Sequence, residues 1–302
     1  MDLKSKIILI YGPTASGKTQ FAIKLAKKIK GEIINADSMQ VYKDFKILTA
    51  RPLKKNIQKI KHHLYGFQNS NRYFSTGDWL KLVIKKIDVI RKRNKVPILA
   101  GGTGLYFKAL TEGLVEIPSA PTNLRTKIRN LQKKIGQEKF YKRLLKIDPL
   151  SVNKINSSDV QRSIRAYEIK MFTKKSVDEW YKETKPSFKK RDFYKIIITQ
   201  PRPELIEKIN KRTKQILETG AILEVKRFLK LKIPKDKSIS KAIGIAEIRE
   251  YLKKMTKKEE LAQKISIKTR QYAKRQVTWA RGHMKGWKKI HADKLNNFLK
   301  KI

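Results

Sequence analysis

GPTASGKT, residues 12–19, stands between two different periodicities. Before it, Ile7-Ile8-Leu9-Ile10-Tyr11 is a continuous apolar run with the length of a strand buried on both faces. After it, Phe21, Ala22, Leu25, Ala26 and Ile29 recur at helical spacing, with lysines on the opposite face. Strand, glycine turn and helix are the context in which the pattern G-x-x-x-x-G-K-[ST] makes a phosphate cradle, the P-loop. Gly12 and Gly17 permit the tight turn, and the backbone of Pro13, Thr14, Ala15 and Ser16 wraps one anion site at the helix N-terminus. Lys18 adds a point charge, and Thr19 is placed to bind Mg²⁺ or a phosphate oxygen. The alternative is a chance glycine turn with no ligand.

Working outward, Gly31 is expected to end the first helix at its C′ position, and Glu32–Asn35 forms a second short strand leading to Asp37. Ser75 or Thr76 caps a helix carrying Trp79, Leu82, Val83, Ile87 and Ile90. Val96–Gly101 is another buried strand, running into Gly101-Gly102-Thr103-Gly104 and a helix. Pro118 and Pro121 bracket a linker, and from Thr122 to about Pro186 only helical patterns occur. Lys195–Thr199 returns to a strand, and after Pro203 the chain again reads as helical throughout. There Thr256 and Glu259 have capping-box spacing at the start of a helix running to Arg281. The order predicts an α/β fold: a P-loop NTPase-like parallel sheet with helices on both faces, plus an all-helical insertion domain. The expected core is 1–115 with 190–302, and the insertion is 116–189.

The 302 residues carry 73 Lys and Arg against 26 Asp and Glu, a net charge of +47. That charge has two readings, a polyanionic partner such as nucleic acid or a lysine excess from an AT-rich genome. With no cysteine, disulfides, thiolate metal sites and cysteine nucleophiles are excluded. No apolar run approaches the ~20 residues of a membrane span, and the N-terminus has no signal-peptide pattern, so a cytoplasmic monomer is the expectation.

A nucleotide hydrolase normally adds an apolar strand ending in an Mg²⁺-binding Asp. Here Val96–Ala100 runs into Gly-Gly and Lys195–Ile198 into Thr-Gln; only the second strand ends in an acid, Asp37. Strand carboxyl ends form the ligand crevice of a doubly wound sheet. Asp37 therefore either assists Mg²⁺, acts as a general base, or simply caps the turn after it. Thr103, in the second glycine turn, opens onto the same crevice unless that turn is only a tight corner. Two rows of basic residues have helical spacing: Arg162 and Arg165 beside Gln161, and Arg270, Lys274 and Arg281 with Arg275 nearby and Gln271 and Tyr272 interleaved. Such rows hold phosphates while Gln and aromatic residues reach bases, or they are merely solvated faces. His62 and His63 are adjacent, which on a strand points them to opposite sides and favours a structural role. The four tryptophans read as core or interface anchors.

GPTASGKT (12–19), ADSMQVYK (36–43), PILAGGTGLYFKAL (97–110), DVQRSIRAYE (159–168), AIGIAE (242–247) and TRQYAKRQVTWAR (269–281), in this order, resemble the bacterial tRNA dimethylallyltransferases over nearly the whole chain. The resemblance implies that the P-loop receives the diphosphate of dimethylallyl diphosphate, and that the prenyl group passes to the exocyclic amine of the adenosine 3′ to the anticodon. It implies Asp37 as the base, with Lys18, Thr19, Mg²⁺ and Arg212 around the leaving diphosphate. Ser38, Met39 and Gln40 would flank the flipped base, and Thr103 and Arg125 would border the RNA path. Gln161, Arg162, Ser163, Ile164, Arg165, Gly244, Thr269, Arg270, Gln271, Lys274, Arg275 and Gln276 would hold tRNA, the insertion clasping its anticodon stem-loop. The chain departs from the family at Gly244–Glu247, at Ala280 and at Phe45–Pro52. Two other classes remain open from the residues alone: a small-molecule P-loop kinase, marked by ATP turnover, and an RNA-binding protein without catalysis, marked by the absence of product on RNA.

Overall fold

The computed structural model describes residues 3–52 and 60–302. The apolar run becomes β1 (Ile7–Tyr11), buried at every position, and the P-loop delivers it into α1 (Lys18–Lys28). Then come β2 (Gly31–Asn35), a two-residue β3 (His62–His63), α2 (Thr76–Lys92), β4 (Val96–Gly101) and α3 (Gly104–Glu112). After a helical stretch, β5 (Phe193–Thr199) returns to the sheet, followed by α7 (Arg202–Glu218), α8 (Ala221–Lys230), α9 (Ile245–Leu252), α10 (Lys258–His283), β6 (Lys288–His291) and α11 (Leu295–Lys300). All pairings are parallel, in the order β3-β2-β4-β1-β5-β6.

Alternation along β1 sends Ile8 and Ile10 to one face and Ile7, Leu9 and Tyr11 to the other. The first set packs on Phe21, Ala22 and Leu25 of α1 and Phe298 of α11. The second packs on Trp79, Val83, Ile87 and Ile90 of α2, Phe107 of α3 and Ala280 of α10. Helices on both faces explain why the central strands are apolar without alternation of polarity. A third cluster joins Val41, Phe45 and Leu48 to Val225 and Phe228 of α8, Ile248 of α9 and Ile265 of α10.

The chain divides into two compact units, Met1–Thr111 with Phe188–Ile302, and Glu112–Ser187. The second is built from α4 (Thr122–Ile147), α5 (Val160–Thr173) and α6 (Val177–Lys182). Its core is Ile128, Phe140, Leu144, Ala166 and Tyr167, and α4 is broken at Gly136, where φ is 77°.

Three local expectations are corrected. Gly31 does not cap α1: Lys30 takes the left-handed conformation, and Gly31 opens β2, where a Cβ would lie 2.6 Å from the Ile98 side chain. The Thr256–Glu259 capping box does not form, because the N-cap is Lys257 and the pair is one residue out of register. The region after Pro203 is not helical throughout: β6 forms the sheet edge, and only Ile290 in it is buried, so no apolar pattern announces it. Ser75, by contrast, caps α2 in a full box with Asp78.

Trp79 is fully buried, stacks on Tyr106 at 4.2 Å and donates its indole N–H to Asn35 O at 2.9 Å. Trp79→Ala is expected to cost about 3–5 kcal/mol, read from urea unfolding, because a large cavity opens at the end of β2.

Candidate active site

Placing β4 between β1 and β2 brings three carboxyl-terminal loops together: the P-loop after β1, Asp37–Gln40 after β2, and Gly102–Thr103 after β4. Contact between the last two is close. A Cβ on Gly101 would fall 2.0 Å from Ala36 O, so only glycine fits there. Thr103 N–H donates to Ala36 O at 3.2 Å, and Thr103 Oγ1 accepts from Ser38 N–H at 2.9 Å. Asn35 folds its carboxamide over Asp37, accepting from its N–H at 2.9 Å and donating to its carbonyl at 2.9 Å. Asp37 Oδ1 accepts the Met39 N–H at 2.9 Å. The capping reading is thus true of one oxygen, while Oδ2 has no hydrogen bond among the described residues.

The phosphate loop turns through Ala15 (φ 64°) and Gly17 (φ 82°), conformations that aim successive N–H groups inward. Ser16 Oγ is buried with no partner, and Thr19 makes no side-chain hydrogen bond among the described residues. Lys18 Nζ donates to Pro13 O at 3.1 Å. From α7, Arg212 donates to Thr14 Oγ1 at 3.0 Å and reaches Thr49 O at 3.5 Å. Ala15 packs on Leu205 and Ile209 of α7 and Ala273 of α10.

Lys18, Arg212 and Asp37 share one field. Loss of water lowers the Lys18 pKa to about 8, with Asp37 opposing the shift and Arg212 adding to it. Burial likewise lowers Arg212, against the attraction of Asp37. Tyr65, Tyr106 and Tyr272 are raised by burial first and by the Asp37 charge second. Three buried phenols thus feel the Asp37 charge and keep their protons at working pH. Sequence reasoning singles out none of them as a crevice residue; Tyr272 reads as a member of a basic row, and it is half-buried with Arg275 over its ring.

The basic rows divide. On α5, Gln161, Arg162 and Arg165 are exposed, but Ser163 and Ile164 are buried, Ser163 Oγ donating to Asp159 O at 2.7 Å. Arg125 and Arg129 of α4 and Arg165 lie 3.6–4.0 Å from the buried Glu168 carboxylate. On α10, Gln271, Lys274 and Arg275 are exposed, while Thr269 and Arg270 are half-buried. Gln276 is buried and does not join that face: its side chain bonds Thr14 N–H and Gly102 O. Gly244 is also buried, its N–H donating to Glu247 Oε2 at 2.8 Å. Gln40 donates to Thr49 O at 2.8 Å. Sequence reasoning also missed Glu224, whose carboxylate accepts the N–H groups of Lys46, Ile47 and Leu48 at 2.6–3.1 Å. The signal was present, an acid on the apolar stripe of α8 beside Ala221, Val225 and Phe228. The two histidines have a structural place: His63 Nε2 lies 2.6 Å from Glu32, which also pairs with Arg93.

A P-loop fold that gathers a lysine, an arginine and one acid at the carboxyl edge of its sheet, with no acid at the ends of the two strands beside β1, has the frame of an enzyme that handles a bound phosphate group. The sequence profile described as IPP transferase matches residues 40–283. The tRNA dimethylallyltransferase of Pelagibacter ubique (strain HTCC1062) is 59% identical over 302 residues, all of this chain and 96% of that protein. That of Rhizobium etli (strain CIAT 652) is 40% identical over 285 residues, 94% of this chain and 96% of its own. The tRNA isopentenylpyrophosphate transferase of Bacillus halodurans superposes with a TM-score of 0.70 at 31% identity, covering 98% of this chain and 95% of that one. A eukaryotic dimethylallyltransferase acting on tRNA superposes at 0.83 and 30% identity, covering 95% of this chain and 74% of that one. The chain belongs to the IPP transferase family.

Because the free Lys18 ammonium is lost as pH rises through about 8, inorganic diphosphate should bind about tenfold more weakly at about pH 9 than at about pH 7. Isothermal titration with Lys18→Met, which removes this step, checks the assignment.

Proposed function

We propose that this protein transfers the dimethylallyl group of dimethylallyl diphosphate to the exocyclic amine of the adenosine 3′ to the anticodon of tRNA, releasing diphosphate. The observation that carries the reading is that Lys18 and Arg212 of the phosphate site share one electrostatic field with Asp37, whose Oδ2 makes no hydrogen bond among the described residues. An anion seated in the first group presents its carbon toward the second. The two strands beside β1 offer no second acid, since β4 runs into Gly102 and β5 into Gln200.

In this reading the adenosine leaves its stack and enters between Ser38–Gln40 and Thr103. The amine nitrogen bonds to the allylic carbon as the carbon–oxygen bond to diphosphate breaks. Asp37 Oδ2 takes the proton that the amine loses, and the bonding electrons leave on the diphosphate. Lys18, Arg212 and the P-loop amides stabilise the charge that grows there. An aromatic amine is a weak nucleophile, so orientation supplies much of the rate. Mg²⁺ fits the site: the Thr19 hydroxyl stands at the start of α1, directly after the phosphate loop, and makes no side-chain hydrogen bond among the described residues. Mg²⁺ takes few protein ligands and completes its shell with phosphate oxygens and water. Bound at Thr19 it would add charge neutralisation at the leaving oxygens.

The anticodon stem-loop would lie against the exposed part of α10 and, in the insertion 116–189, against Gln161, Arg162, Arg165 and Arg125. No helix among the described residues is long and apolar enough to cross a membrane. A cytoplasmic location is the reading that fits a soluble RNA substrate.

The direct test incubates the protein with Mg²⁺, an anticodon stem-loop RNA and dimethylallyl diphosphate, and follows one adenosine by mass spectrometry. Prenylated adenosine is expected; ATP consumption without that product would favour a kinase. Asp37→Ala should retain RNA affinity and lose at least about 100-fold in turnover, general-base catalysis contributing about 10²–10⁴; retained turnover removes Asp37 as base. Replacing Arg270 and Lys274 together by Ala should weaken RNA binding and reduce its salt slope by about one or two, read from fluorescence titrations across salt. An unchanged slope would take α10 out of the RNA path.

A further inference from the structure

Gln276 lies in the C-terminal row that reads as exposed, yet its carboxamide is committed to two contacts inside the protein. Its residue is only 5% exposed. Oε1 accepts the N–H of Thr14, in the phosphate loop, at 2.9 Å. Nε2 donates to the carbonyl of Gly102, in the loop after β4, at 2.9 Å. Its own carbonyl accepts the hydroxyl of Tyr11, the last residue of β1, at 2.8 Å. One carboxamide therefore joins two loops that belong to different strands and, by the reading above, to different substrates.

Each end of this bridge continues into the reacting groups. On the diphosphate side, Thr14 receives Arg212 through its hydroxyl. On the base side, the residue after Gly102 is Thr103, which bonds Ala36 O and Ser38 N–H, the two neighbours of Asp37. The fit is tight: a Cβ on Gly102 would lie 2.2 Å from Gln276 Nε2. It is also directional, since Thr14 offers a donor and Gly102 an acceptor, and only a group with one of each answers both.

We propose that Gln276 is a positioning residue: its carboxamide sets the spacing between the phosphate loop and the Asp37 side of the crevice, and so the distance over which the new carbon–nitrogen bond forms. The inference rests on the prenyl-transfer reading. Gln276 touches neither substrate and holds no proton in the reaction. Without the bridge both ligands find their own groups intact, but in the wrong register with each other. Rate suffers while binding does not.

The test uses the full-length protein and the stem-loop prenylation assay. Gln276→Met keeps the length and apolar bulk and removes both hydrogen bonds. It should lower kcat about 10- to 100-fold while leaving KM for dimethylallyl diphosphate and for RNA within about threefold. Gln276→Glu supplies the second measurement. Ionised, it sets an oxygen against Gly102 O; protonated, it offers an O–H to Gly102 and a C=O to Thr14, as the amide does. Burial raises such a carboxyl, so the ratio of its kcat to that of the wild type should rise about tenfold between about pH 8 and about pH 6. A residue that only supports folding gives no such proton-dependent recovery. Unchanged kcat in Gln276→Met, a loss appearing in KM instead, or a flat ratio for Gln276→Glu overturns the inference. If Gln276→Met does not fold, the Gln276→Glu ratio decides alone. These outcomes presuppose prenylated RNA from the wild type; its absence would instead overturn the functional reading, and this inference with it.

Discussion

Insertion of β4 between β1 and β2 is the constraint on which the crevice depends. Parallel strands end at the same edge, so their order decides which loops become neighbours. Here it sets a glycine corner between the phosphate loop and Asp37, close enough that Gly101 and Ala36 leave no room for a side chain. The register is fixed by backbone pairs such as Ile34 with Leu99 and Leu99 with Leu9, so the three loops cannot slide without swapping the strands' side chains between the two packed faces. Helices α7 and α10 then close the crevice from outside the sheet, each contributing one side chain, Arg212 and Gln276, to the same threonine.

The electrostatics follow from that enclosure. Two cations and one carboxylate lie in a space with little water, which lowers the cations and raises the surrounding phenols. Lys18 and Arg212 therefore gain from any anion that enters, and diphosphate is dense in negative charge. The same lack of water that weakens Lys18 as a free ammonium strengthens each interaction once the anion is seated.

Much of this frame was legible in the chain. The continuous run Ile7–Tyr11 and the helical period after Gly17 fixed β1, the phosphate loop and α1, because a strand covered on both faces needs no polar alternation. From Thr122 to about Pro186 the helical pattern without a strand corresponds to α4, α5 and α6. What escaped reading was set by tertiary contact. β6 has one buried residue in four, and β3 is only two residues long. The Thr256–Glu259 pair had the right spacing in the wrong frame. Gln276 sits in a row of Arg, Lys and Gln that looks solvent-facing, and a sequence period cannot say which member turns toward a carbonyl in the loop after β4. Glu224 was concealed by the opposite effect, since an acid on an apolar stripe becomes reasonable only once three backbone N–H groups are seen to meet it.

The two borders of the sheet bear on a different property. One is closed by a strand of two residues and the other by four, of which Lys288 and Lys289 are exposed. Open strand edges invite pairing with other chains, and short, lysine-bearing edges discourage it. Part of the surplus of positive charge is therefore placed where it keeps copies of the molecule from adding to one another's sheets, a contribution to solubility that asks nothing of RNA.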